Sequence, residues 1–358
     1  MAARTMGFSV HVLDPDPDCS AGPVADRVVT AAFNDADAAE DLARHCDVVT
    51  LEIEQIAVAS LNAAQRHAPV RPGPAVLGVI QDRAAQKAWL RAHRFPVGDY
   101  AEVRGEADLA AAVARMGAVF LKSCRGGYDG RSQLQVQAAA ECAEAWKQLG
   151  PGGMCVAERA QSLEAEISVM VARRPSGETA VYTPARNHHT RQVLSWSVMP
   201  ASLPPALLSR ATEIARGIAD GFELEGILAV EMFVVAGGEL LVNELAPRPH
   251  NSFHETEVAC ATSQFEQLVR AVCDLPLGDT AVLRPGAIVN LFGDLWQSDG
   301  APAFERALSE PGVRLHLYGK RVARPGRKMG HLSATGDTPD AALARVQRAA
   351  RLVGVSTL

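Results

Sequence analysis

ILAVEMFVVAGGELLVNELA, residues 227–246, is a pair of apolar runs hinged on Gly237-Gly238. Strand-forming residues on either side of a glycine pair predict a β-hairpin, and Gly-Gly favours a two-residue turn. If Ala236 pairs with Glu239, counting outward along both strands sets Glu231 opposite Glu244, with Cβ atoms roughly 5 Å apart on one face. Like charges directly opposite destabilise a sheet, so a carboxylate pair in such apolar surroundings calls for a cation. Mg2+, a hard ion that takes carboxylate oxygens together with substrate phosphates, suits the pair, with Mn2+ as the second candidate. A rigid hairpin carrying that pair reads as a nucleotide-metal site.

The next residues, Ala246-Pro247-Arg248-Pro249-His250-Asn251-Ser252, stay close to the pair because two prolines restrict the backbone. An arginine fork held there suits a planar oxyanion, and His250 and Asn251 sit beside it. Upstream, Arg125-Gly126-Gly127-Tyr128-Asp129-Gly130-Arg131 lies between two predicted strands, where glycines allow backbone amides to approach phosphate oxygens. This loop is not a P-loop, since GxxxxGK[ST] is absent. Lys122 closes the strand entering the loop, and Glu158 and Glu166 follow a later strand of the same unit. A basic stretch with Lys320, Arg321, Arg324, Arg327 and Lys328 forms a second candidate anion pocket near the end of the chain.

Around these motifs the chain divides into α/β and α+β units. Residues 1–75 alternate strands (FSVHVLD, RVVTAAF, DVVTLEIE) with the helix DADAAEDLARHC, the pattern of a parallel Rossmann-like layer. A proline-marked link, APVRPGPAV at 68–76, leads into a central unit over 76–272. Its smaller part, 97–165, reads as a compact α+β lid, and its larger part, 166–272, holds the hairpin. Residues 273–358 shift to short strands before a final helix, PDAALARVQRAARLVG, and read as a small β-rich domain.

At 358 residues the chain is long for one hydrophobic core, which agrees with about three domains. Hydrophobic and charged fractions of 48% and 21% are those of an ordinary folded protein and exclude disorder. A net charge of −6 gives no general attraction for nucleic acid or an anionic membrane, so phosphate must be held by a local site. No apolar run reaches the roughly 18 residues of a membrane span, and the start lacks the pattern of a secretory signal, so a cytoplasmic protein is expected. The seven cysteines show no close pairing and read as reduced thiols; Cys124 reads as a small loop residue.

CDVVTLEIE (46–54), QDRAAQK (81–87), LKSCRGGYDGR (121–131), LAVEMF (228–233), VNELAPRPHNS (242–252), SQFEQLVRAV (263–272) and RPGRKMGHL (324–332) together resemble the 5-(carboxyamino)imidazole ribonucleotide synthase family. GGYDG and NELAPRPHNS are the most specific, and the resemblance spans nearly the whole chain. It implies an ATP-grasp fold with a Rossmann-like N-terminal domain and a β-rich C-terminal domain. The implied reaction is ATP- and bicarbonate-dependent carboxylation of 5-aminoimidazole ribonucleotide through carboxyphosphate, in purine biosynthesis.

The same resemblance implies that Arg83, Lys122, Glu158 and Glu166 contact ATP and that Glu231 and Glu244 bind Mg2+. Tyr128, Asp129, Lys320 and Arg327 would face the ribonucleotide, and Arg248, His250 and Asn251 the bicarbonate. A homodimer is implied as well. Family members begin with a strand and a GGGQLGR-type loop, so this chain is expected to be N-terminally incomplete, with weakened stability and ribonucleotide affinity. Two competing readings are a formate-using ATP-grasp transformylase and a catalytically inactive nucleotide-binding subunit. Intact Glu231, Glu244 and Arg248 weigh against the second.

Overall fold

A computed structural model describes residues 1–126, 132–296 and 300–356. The N-terminal unit carries β1 (His11–Asp14) and β2 (Arg27–Thr30), paired in parallel from His11 with Arg27 to Asp14 with Thr30. The helix Ala36–Ala43 starts where the Asp35 carboxylate accepts a hydrogen bond from the Ala38 amide, and it buries Ala39, Leu42 and Ala43. DVVTLEIE does not form the expected strand. Only Val49 bridges in parallel to Val70, donating to the Pro69 carbonyl and accepting from Arg71. The facing stretch contains Pro69 and Pro72, which have no N–H to extend a ladder. Glu52 and Glu54 therefore lie on a loop. The link is also more ordered than expected, because Pro74 opens a helix over Pro74–Ile80 at a position where its missing N–H is harmless.

The lid is a four-stranded antiparallel sheet of β3 (Tyr100–Val103), β4 (Val119–Ser123), β5 (Gln133–Val136) and β6 (Cys155–Arg159), in the order β3-β6-β4-β5. Helices Glu106–Met116 and Cys142–Leu149 supply Leu109, Val113, Met116 and Cys142 to a core with Val103, Leu121 and Val136 of the sheet. Alternation along β4 sends Val119 and Leu121 to that core, while Lys122 points to the other face.

The larger sheet has nine strands: β7 (Leu163–Arg173), β8 (Thr179–Val181), β9 (Ala185–Thr190), β10 (Val193–Met199), β11 (Gly226–Val235), β12 (Glu239–Ala246), β13 (Gly286–Phe292), β14 (Val313–Leu317) and β15 (Lys328–Thr335). Its order is β12-β11-β7-β9-β10-β13-β15-β14, with β8 also on β7. The helix Pro205–Gly221 buries Ala211, Ile214, Ala215 and Ile218 against β7 and β11, and a fully buried isoleucine contributes about 1.5–3 kcal/mol. The strands after residue 272 are not a separate sheet. Met199 of β10 pairs with Gly286 of β13, so the C-terminal strands continue the central sheet. The final helix, Pro339–Leu352, capped by Thr338, covers them with Ala342, Val346, Ala349 and Ala350.

Candidate active site

The hairpin of β11 and β12 brings Glu231 opposite Glu244, by a different route from the one expected. Val235 pairs with Glu239 across a three-residue loop, Ala236-Gly237-Gly238, with both glycines in the left-handed region (φ 80° and 75°). That register alone would leave Glu231 facing Asn243. A β-bulge at Asn243 inserts the missing residue and returns Glu244 to the position opposite Glu231. Bulges beside functional sites re-aim side chains in this way. The Asn243 amide then reaches toward Glu231, with Nδ2 3.5 Å from Oε2.

The two carboxylates sit in unlike fields. Burial, with Glu244 close by, raises the pKa of Glu231 above the ordinary carboxylate range even though His189 and Lys328 act against it. Burial works against the charge on Glu244 too, but Arg83 and Lys122 outweigh it and hold that carboxyl below its usual value. Arg83 Nη1 lies 3.3 Å from Glu244 Oε2. His250 Nε2 lies 3.2 Å from Glu231 Oε1, and its Nδ1 is 2.7 Å from the Ser252 hydroxyl. Burial, helped by Arg248 and Lys328, lowers the His250 pKa well below normal, so it meets Glu231 as a neutral ring.

The lid wall is organised around Glu158. Lys122 Nζ donates to its Oε2 at 3.1 Å, and Lys87 Nζ lies 3.3 Å from the same oxygen. Burial opposes the Glu158 charge, but Lys122, Lys87 and Arg83 overcome it and bring the carboxyl to about 2. Arg83 and Lys87 reach the wall together because they are four apart on the helix Arg83–Ala92, on one face. Asp82 caps that helix and also holds Arg125 Nε at 3.0 Å, which ties the helix to the start of the glycine loop. Elsewhere on the lining, His189 Nδ1 lies 2.5 Å from Glu166 Oε2.

These groups line one cleft of about 350 Å3 between the lid and the nine-stranded sheet. Arg83, Lys122, Glu158, Glu166, Glu231, Glu244, Arg248, His250 and Asn251 all face it. Lys320 and Arg327 do not line its wall: Lys320 Nζ donates to the Lys328 carbonyl at 2.9 Å, and Arg327 Nη1 to that of Val322 at 2.8 Å. Their neighbour Lys328 does face the cleft. Tyr128 and Asp129 lie outside the described residues. Cys124 is buried beside the loop, with its thiol pushed up to about 11 by burial and Asp82, and all seven cysteines are free.

Two residues of this cleft, Glu54 and His189, and Lys87 behind Glu158 carry no motif of their own in the sequence. Glu54 holds Arg248, whose Nε is 2.9 Å from its Oε1. Lys87 and His189 complete the Glu158 and Glu166 pairs. The signal for Glu54 was the pair Glu52 and Glu54 at the end of DVVTLEIE, two acids that sit poorly in a buried strand. The signal for Lys87 was its spacing from Arg83.

Three family models match the chain. An ATP-grasp domain model matches residues 88–265, a ribonucleotide synthetase preATP-grasp domain model matches 1–81, and a phosphoribosylaminoimidazole carboxylase C-terminal domain model matches 286–345. The N5-carboxyaminoimidazole ribonucleotide synthase of Bacillus subtilis (strain 168) is 41% identical over 338 residues, 93% of this chain and 87% of that protein. The chain belongs to the N5-carboxyaminoimidazole ribonucleotide synthase family. The family's crystal structure from Thermus thermophilus shares 36% identity and a TM-score of 0.90, covering 100% of this chain and 95% of that one. A synthase of the family from Aspergillus clavatus, in complex with ADP and 5-aminoimidazole ribonucleotide, shares 30% identity and a TM-score of 0.91, covering 98% and 94%. Membership makes the chain an ATP-dependent, ADP-forming ligase with the ATP-grasp fold, as the motifs implied. The family is the carboxylating one, not the formate-using transformylase weighed beside it.

Proposed function

We propose that the cleft residues divide the carboxylation of 5-aminoimidazole ribonucleotide in purine biosynthesis as follows. Arg83 and Lys122 meet the ATP phosphates, Glu158 and Glu166 hold the adenine and ribose end, and Glu231 and Glu244 hold Mg2+ (or Mn2+). Their donor chemistry fits a hard divalent cation: both are carboxylates on one face of a rigid hairpin, and burial, with Glu244 and Glu166 adding to it, raises the pKa of Glu231, which a bound cation would offset. When bound, Mg2+ supplies Lewis acidity to phosphate oxygens. His250, neutral and braced by Ser252, orients Glu231. Glu54 holds the Arg248 guanidinium so that its planar fork meets bicarbonate, with Asn251 beside it.

A bicarbonate oxygen attacks the γ-phosphorus in line, ADP leaves, and carboxyphosphate forms. The exocyclic amine of the ribonucleotide then attacks the carboxyl carbon, or CO2 released from it, giving the carbamate and inorganic phosphate. Tyr128, Asp129, Lys320 and Arg327 would face the ribonucleotide. We further propose that the enzyme works in the cytoplasm as a homodimer; among the described residues no helix is long and apolar enough to cross a membrane.

The single observation that carries this reading is the facing carboxylate pair next to an arginine held by its own glutamate. A coupled ADP assay tests it. ADP release is expected only when 5-aminoimidazole ribonucleotide and bicarbonate are both present. Turnover restored by formate in bicarbonate-depleted buffer would overturn the assignment of Arg248 and its neighbours.

A further inference from the structure

Outside the lining of the cleft, Glu257, His316 and His331 bring three potential ligand atoms within 4.8 Å of one another. Among the described residues no other group of three or more His, Cys, Asp or Glu side chains does so. Topology creates the cluster. His316 of β14 and His331 of β15 are direct cross-strand partners, so both side chains leave the same face of the ladder. Glu257, on the short helix Thr256–Ala259, stands over that face with Oε2 3.7 Å from His316 Nδ1.

The two rings stack, with centroids 5.1 Å apart and planes 16° apart, so their in-plane lone pairs meet on one ion once the half-exposed His316 ring turns toward His331. Tyr318 Oη lies 2.9 Å from His331 Nδ1. A ligating histidine characteristically engages its other ring nitrogen with such a partner, which fixes ring orientation and leaves Nε2 to ligate.

We propose that Glu257, His316 and His331 form a second metal site, separate from the Glu231–Glu244 pair, for a borderline divalent ion of the Zn2+ type. Two imidazoles and one carboxylate match the donor preference of Zn2+ or Co2+ and not of Mg2+, which takes oxygen ligands and water. Ligand atoms around a tetrahedral Zn2+ stand about 3.4 Å apart, so the cluster must tighten by roughly an ångström. Glu257 and His316, with side chains 36% and 35% exposed, have the room to do so, while buried His331 serves as the fixed point. The site would pin the β14–β15 edge to the Thr256–Ala259 helix. It also abuts the cleft: His331 stacks on His254 at 4.6 Å, and His254 Nε2 is 3.1 Å from Asn251 Oδ1.

The test is calorimetric titration of the untagged full chain with Zn2+, and with Co2+ followed by visible absorption, both in saturating Mg2+. One equivalent should bind with visible Co2+ bands and raise the melting temperature. Glu257→Gln and His316→Ala should each weaken binding at least tenfold and abolish the thermal shift, while melting without added Zn2+ stays near wild type. His316→Gln, which keeps more volume on the strand, serves if the alanine variant folds poorly. Binding that persists at wild-type strength in these variants, or that disappears in saturating Mg2+, overturns the proposal.

Discussion

The two walls of the cleft both bury charge but resolve it differently. On the lid wall, Lys122 and Lys87 converge on one oxygen of Glu158, so the protein itself supplies the opposing charge and the carboxyl drops to about 2. On the hairpin wall, Glu231 faces Glu244 and is met by the neutral His250 and by Asn243, and its pKa rises. Buried charge that is paired internally contributes to stability in addition to any role toward ligand, because removing one partner strands the other. A buried carboxylate that faces another carboxylate and meets neutral groups is a charge that a bound cation would stabilise, which agrees with the proposed metal role of this wall. The helix Arg83–Ala92 serves both walls, with Lys87 on Glu158 and Arg83 on Glu244.

Glu244→Gln should separate the walls most sharply. Removing the charge while keeping the volume is expected to lower kcat about 10^3-fold at ordinary Mg2+, since Lewis-acid stabilisation is worth several kcal/mol. Because the Glu244 side chain is 37% exposed, its pair with Arg83 is worth under about 1 kcal/mol, and the melting temperature should barely move. Near-normal kcat would remove the metal from this wall.

Glu158→Gln should differ in reaching the fold as well as the nucleotide. It leaves Lys87 and Lys122 buried without their carboxylate, and denaturant unfolding should register a loss of about 3–5 kcal/mol. A wild-type unfolding midpoint would break the comparison, for Glu158 would then be no more structural than Glu244.

Arg248→Lys keeps the charge and loses the fork held by Glu54. Bicarbonate saturation kinetics should show kcat/KM for bicarbonate falling by about 10- to 100-fold, with binding of an ATP analogue little changed. Equal losses in both would place Arg248 on the nucleotide.

The smallest effect concerns pH. Burial works against the charge on His189, but Glu166 and Glu231 overcome it, so its folded pKa lies above the unfolded value near 6.5. The stability from this pair is fully present below that unfolded value and is lost as pH rises through the folded pKa. The melting-temperature gap between wild type and His189→Gln should therefore shrink as pH is raised from 6 toward 9. A gap that is constant or widens over that range would mean the Glu166–His189 contact is not an ion pair.

Much of the cleft was legible because short-range chemistry leaves marks in sequence. The β11–β12 hairpin, the proline-stiffened Arg248–Asn251 segment and Lys122 at the end of β4 were readable from alternation, Gly-Gly and Pro alone. The facing of Glu231 and Glu244 was reached through a two-residue turn, whereas the chain uses a three-residue loop and a bulge at Asn243. The two one-residue shifts cancel. A bulge is set by what the strand packs against, and local propensity does not carry that information.

The sequence by itself determined the family motifs, the helix faces and the side of each strand that meets a core, since these depend on neighbours one to four residues away. Tertiary structure decided the partners. Lys87 with Glu158, Glu54 with Arg248, His189 with Glu166, and the continuation of β10 into β13 join residues far apart in the chain. Those pairings exist because the lid, the N-terminal loop and the sheet converge on one volume that excludes enough water to make each charge choose a counterpart. That convergence is a property of the folded chain as a whole, and no window of sequence contains it.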